Sequence, residues 1–186
     1  MARFAVTLYA GSRRSYPEAY GALARELGRA VAQRGWVLVY GGADIGLMGA
    51  CADAALDAGG RVEGVILDTF ARVIHRRVES MEIVSSMRDR KAGLAHRGDA
   101  FVVLPGAFGT LEELSEILVE RQLEIHQKPL VLIDPDGFWR PLLDQFERMV
   151  AAGLLEREVL RVLDVVPDVA AAMAVIARTA EPTAMV

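Results

Sequence analysis

Short apolar runs rich in β-branched residues, at 4–9, 37–40, 62–66, 101–104, 130–133 and 162–166, punctuate the chain and constrain its fold more than any other feature. A strand with one wet face alternates apolar and polar residues. A run that is apolar at every position needs cover on both faces, as in a parallel sheet between helices. The segments between the runs have helical period. At 17–33, Tyr20, Leu23, Ala24, Leu27, Ala30 and Val31 recur at three-and-four spacing, Ser15 precedes the segment, and Gly35 follows where a left-handed cap would fall. Further helices are expected at 47–58, 88–97, 110–125, 139–152 and 169–180, with a shorter one at 68–75. Strands alternating with helices build βαβ units, so the expected class is α/β, an open parallel sheet with helices on both faces. Ligands of such sheets bind at the carboxyl ends of the strands.

At 186 residues the chain is expected to form a single domain over 1–186. Its hydrophobic content of 53% excludes intrinsic disorder, and a net charge of −4 argues against a nucleic-acid partner, which would call for a basic stripe. Cys51 is the single cysteine, so no internal disulfide can form and a cytoplasmic location is expected, with Cys51 itself a small buried hydrophobe. No apolar stretch approaches the roughly 18 residues of a membrane span, and the N-terminus lacks a secretory apolar region, so no membrane association is expected.

Three glycine-bearing turns follow expected strands: Gly11-Ser12, Gly41-Gly42-Ala43-Asp44-Ile45-Gly46, and Pro105-Gly106-Ala107-Phe108-Gly109-Thr110. In a parallel sheet all three fall on one edge. Each lets backbone approach a ligand, and a helix starting there offers unpaired N–H groups to an anion. Tight strand-to-helix turns would read the same way if taken singly. The sequence has neither a G-x-G-x-x-G fingerprint nor a P-loop lysine, which points to a mononucleotide monophosphate rather than a dinucleotide or a magnesium-bound triphosphate. Arg88, Arg90 and Lys91 open an expected helix, where cations oppose the macrodipole unless an anion is close. Glu112 and Glu113 lie in the first turn of the next one. Thr110 and Glu113 fit a capping box, and Glu112, Glu116, Glu120 and Glu124 form a solvent stripe. A carboxylate at this point could also stabilise an oxocarbenium-like centre or orient water. His75, His96 and His126 have no metal-ligand spacing, so neither metal nor cofactor is expected, and Trp36, Trp139 and Phe146 read as packing residues.

Met87-Arg88-Asp89-Arg90-Lys91 and Pro105-Gly106-Ala107-Phe108-Gly109-Thr110-Leu111-Glu112-Glu113 together resemble the paired M-x-x-R-K and P-G-G-x-G-T-x-x-E signatures of the Lonely Guy family, cytokinin riboside 5′-monophosphate phosphoribohydrolases. The likeness runs from about residue 6 to 155 and includes Val39-Tyr40-Gly41-Gly42 and Gln122-Leu123-Glu124-Ile125-His126-Gln127-Lys128-Pro129. It implies a Rossmann-like fold, a nucleoside monophosphate as substrate, Arg90 and Glu113 as the catalytic pair, and phosphate held by residues 106–110 with Lys91 neutralising it. Gly11, Ser12, Gly41, Gly42, Met87, Leu111 and Glu112 complete the expected binding set. The resemblance also implies a homodimer, for which Leu94, Leu114, Ile117 and Leu118 are candidate interface residues, though they could equally fill the core.

Two positions depart from the pattern: Ala107 replaces the second glycine, and Ala43 a third one after Gly41-Gly42. A positive φ at 107 would strain an alanine, whereas a negative one would leave its methyl merely trimming the pocket. A non-catalytic nucleotide or phosphorylated-cofactor binder on the same fold is the alternative function. Relatives labelled lysine decarboxylases would need a Schiff-base lysine, and Lys91 and Lys128 are the only lysines.

Overall fold

A computed structural model describes residues 3–180. Seven parallel strands form one sheet in the order β4-β3-β2-β1-β5-β6-β7, with β1 Ala5–Tyr9, β2 Val37–Tyr40, β3 Arg61–Leu67, β4 Ser80–Val84, β5 Ala100–Val103, β6 Leu130–Ile133 and β7 Leu163–Val166. The helices are α1 Glu18–Gln33, α2 Gly46–Asp57, α3 Met87–Arg97, α4 Phe108–Gln122, α5 Arg140–Ala151 and α6 Val169–Ala180. The expected α/β sheet is thus present, wider by one strand than the apolar runs indicated. β4 was missed because it is a short edge strand: Ser80, Glu82 and Ile83 are exposed, so it carries no continuous apolar run.

Alternate residues of β1 serve the two faces of the sheet. Val6 and Leu8 pack among Leu27 of α1, Cys51 of α2 and Met173 of α6, while Ala5 and Tyr9 pack among Leu94 of α3, Leu114 of α4 and Trp139. Trp36 lies half-buried against Phe4, their ring centroids 4.8 Å apart. Residue 35 has φ +68°, the left-handed cap expected of Gly35, although α1 opens on Pro17 rather than Ser15. The segment at 68–75 is a 3-10 turn, Asp68–Val73, instead of a regular helix.

From β1 the chain lays β2, β3 and β4 to one side and β5, β6 and β7 to the other. That reversal opens a crevice at the carboxyl ends of β1 and β5, where the Gly11 N–H donates to the Pro105 carbonyl at 3.1 Å. Among the described residues, no helix is long and apolar enough to cross a membrane.

Candidate active site

A cavity of about 470 Å³ occupies this crevice. All three glycine turns reach it, as the shared strand edge requires. Gly11, Ser12, Gly41, Met87, Arg90, Gly106, Ala107, Gly109, Thr110 and Glu113 line it, whereas Gly42, Lys91, Phe108, Leu111 and Glu112 of the expected set do not. Arg13, Tyr16, Tyr20, Met48, Phe70, Val73 and Phe138 also line it and were not expected. Tyr16 and Tyr20 lie at or near the start of α1, just after the first glycine turn, a position that could have flagged them. Phe138 follows β6 and carries no sequence motif.

Arg90 and Glu113 form the polar centre. The Ser86 side chain caps α3 by accepting from the Asp89 N–H at 3.1 Å, which orients the first turn that carries Arg90. The Arg90 Nη1 donates to Glu113 Oε1 at 2.9 Å, with both residues buried, at 7% and 8% exposure. Burial raises the Glu113 carboxyl above the ordinary glutamate range, and the Arg90 charge opposes that rise. Arg90 keeps its buried Nε without a protein acceptor, a spare donor at the cavity wall. Gly41 makes the arrangement sterically possible, because a Cβ there would lie 2.2 Å from the Arg90 Nη2.

The anion cradle is the start of α4. Its first residue is Phe108 and its cap is Ala107, which supplies no side-chain acceptor, so the N–H groups of the first turn remain for a ligand. Thr110 therefore stands inside the helix, and Thr110 and Glu113 do not form the capping box that their spacing allowed. Thr110 is buried, and a Cβ on Gly106 would meet its Oγ1 at 2.1 Å, so the glycine lets the hydroxyl lie against the loop. Ala107 has φ −111° and ψ −152°, an extended backbone that any residue adopts. The alanine departure carries no conformational strain.

Lys91 does not face the cavity. Its Nζ lies 3.0 Å from Glu112 and 3.3 Å from Glu116, so the phosphate role implied by the resemblance has no geometric support, and the cradle's positive character comes from Arg90 and backbone N–H groups. His75 is buried with Nε2 3.3 Å from Asp53. Leu94, Leu114 and Ile117 are core residues, and Leu118 packs against that core, so they are not free to cover a partner. The apolar side chains that α4 exposes are Phe108 and Val119, with Leu123 and Ile125 just beyond its end.

Comparison with known proteins identifies the family and the fold. A family described as possible lysine decarboxylase matches residues 48–176. The chain is 40% identical to the cytokinin riboside 5′-monophosphate phosphoribohydrolase of Rhodococcoides fascians, over 92% of this chain and 88% of that protein. It is also 40% identical to the phosphoribohydrolase LOG of Oryza sativa subsp. japonica, over 85% of this chain and 66% of the relative. Among solved structures, the molybdenum cofactor binding protein of Rippkaea orientalis superposes with a TM-score of 0.76 at 19% identity, covering 97% of this chain and 99% of that one, a likeness of fold.

Proposed function

The chain belongs to the Lonely Guy family, the possible lysine decarboxylases whose relatives are named cytokinin riboside 5′-monophosphate phosphoribohydrolases, and on that premise we propose the reaction it catalyses. It hydrolyses the N-glycosidic bond of a nucleoside 5′-monophosphate, AMP or a cytokinin riboside 5′-monophosphate, to free base and ribose 5-phosphate. The observation that carries this reading is the buried Arg90–Glu113 pair placed beside the uncapped start of α4. The phosphate docks on the first-turn N–H groups of α4 and on Thr110. Cleavage breaks the bond between C1′ and the base nitrogen, which leaves with the bonding pair, while positive charge grows on the ribose. The Glu113 carboxylate stabilises that charge and accepts a proton from the water whose oxygen bonds to C1′; the proton then passes to the departing base. Arg90 favours the ionised carboxylate at this buried position and contacts the ribose phosphate through its remaining donors.

Neither lysine lines the cavity: Lys91 is held by two carboxylates, and Lys128 donates to the Ala95 carbonyl at 2.7 Å. This geometry speaks against a Schiff-base decarboxylase. Incubation with AMP and with N6-isopentenyl-AMP, followed by chromatography for free base, tests the reaction. Stoichiometric release of base and ribose 5-phosphate is expected, while tight binding without release would make the chain a nucleotide carrier.

The same reading includes a homodimer in the cytoplasm. Support for the dimer comes from exposed Val119, Leu123 and Ile125, apolar surface that a lone chain would leave in water. The free thiol of Cys51, fully buried, suits a reducing compartment.

A further inference from the structure

We propose that Arg13, on the loop after β1, grips the substrate's phosphate together with the start of α4, and so makes the site select a nucleoside monophosphate over the uncharged nucleoside. For the identity of the ligand this rests on the reaction proposed above. Three residues lining the catalytic cavity carry a formal charge: Arg13, Arg90 and Glu113. Arg90 and Glu113 neutralise one another across 2.9 Å. Arg13 is therefore the one uncompensated charge of the lining, and it makes the cavity cationic. Its side chain is exposed and has no carboxylate at ion-pair distance among the described residues.

The backbone brings that charge to the anion cradle. The Gly11 N–H donates to the Pro105 carbonyl at 3.1 Å, and a Cβ on Gly11 would lie 3.5 Å from the Cα of Gly106, so the first glycine turn lies against the loop that leads into α4. The Gly11 carbonyl in turn accepts from the Leu47 N–H at 2.8 Å, which occupies a first-turn donor of α2, while Ala107 leaves the donors of α4 free. Arg13 follows two residues after this anchored glycine and adds a full positive charge to the partial one at the start of α4. Positive groups that converge on one cavity repel unless an anion lies between them. A phosphate answers both, because its oxygens accept from the α4 N–H groups and from the guanidinium fork. Arg13 thereby supplies the cation that Lys91, tied to Glu112 and Glu116, does not.

Arg14, the next residue, lines a different cavity, the slot between α1 and α2, with Arg25 and Arg29. Asp44, Asp53 and Asp57 line the same slot, so its charges balance and nothing there calls for an anion. The two adjacent arginines differ in what they face, and this separates a contact of Arg13 from the general effect of one positive charge.

The test is calorimetric titration of ribose 5-phosphate, which has no glycosidic bond to lose, into the native full chain and into Arg13→Ala, Arg13→Lys and Arg14→Ala. Binding is expected to weaken at least about tenfold in Arg13→Ala, to recover in part in Arg13→Lys, and to stay within about twofold of native in Arg14→Ala. In AMP hydrolysis Arg13→Ala should raise KM at least about tenfold with kcat within about twofold, as for a group that holds the phosphate alike in ground and transition states. Adenosine, which lacks the phosphate, should bind native chain and Arg13→Ala alike. A matching loss for adenosine would put Arg13 at the base or ribose and overturn the proposal. Equal loss in the two alanine variants, unchanged ribose 5-phosphate binding in Arg13→Ala, or no binding to the native chain also overturns it. If ribose 5-phosphate binding depends on Arg13 but AMP yields no free base, the reaction proposed above fails and the phosphate contact stands.

Discussion

Glu113 can be removed in two ways with separate consequences. Glu113→Gln keeps an acceptor for Arg90 but loses the charge needed at C1′, so turnover should fall at least about 100-fold while the melting temperature changes little. Glu113→Ala strands a buried guanidinium and should also cost about 3–5 kcal/mol in denaturant unfolding. Near-native turnover in the glutamine variant would remove Glu113 from the mechanism. The raised carboxyl pKa sets the acid limb of the pH profile: activity should rise through a midpoint above the ordinary 4.5 as Glu113 ionises. Stability runs the opposite way. A folded pKa above the unfolded one contributes stability at acid pH that is lost as pH rises through the folded value. Ala107→Gly should hold turnover within about twofold, because the extended backbone at 107 asks nothing special of its residue, and as a helix cap glycine should add about 0.5 kcal/mol. A tenfold change in either direction would show that the methyl contacts the ligand.

At the level of elements, the site is a meeting of three turns, and the turn after β2 acts through α3. Gly41→Ala would push a methyl into the Arg90 guanidinium, which is held in place by Glu113 and cannot swing away without breaking a buried pair. A loss of at least about tenfold in kcat, with far-UV circular dichroism unchanged, is the expected result, and native kcat would show that Arg90 has room to shift. The 3-10 turn Asp68–Val73 is fastened to the same strand end, with the Asp44 N–H donating to the Val73 carbonyl at 2.8 Å and the His75 N–H to the Gly42 carbonyl at 3.0 Å. These bonds hold Phe70 and Val73 at the cavity.

For the whole molecule, the proposed dimer is tested at the exposed apolar side chains at the end of α4. Light scattering at micromolar concentration should give twice the mass of the chain, and Leu123→Glu should reduce it to one chain, because a charge placed in an apolar interface is left unpaired. A monomer with full activity would rule out the dimer.

The sequence by itself determined the layered α/β class, because continuous apolar runs leave no face for water, and it located the three glycine turns, because backbone approach to an anion restricts residue type locally. It also marked Arg90 and Glu113 through their motifs. Tertiary structure decided what depends on distant partners. β4 became a strand through pairing with β3 despite a half-exposed sequence. Helical angle could not separate Glu113 from its solvent-facing neighbours, and burial against α3 did. Lys91, adjacent to Arg90 in sequence, turned instead to Glu112 and Glu116, since successive residues of a helix point about 100° apart and only one of the two could face the crevice.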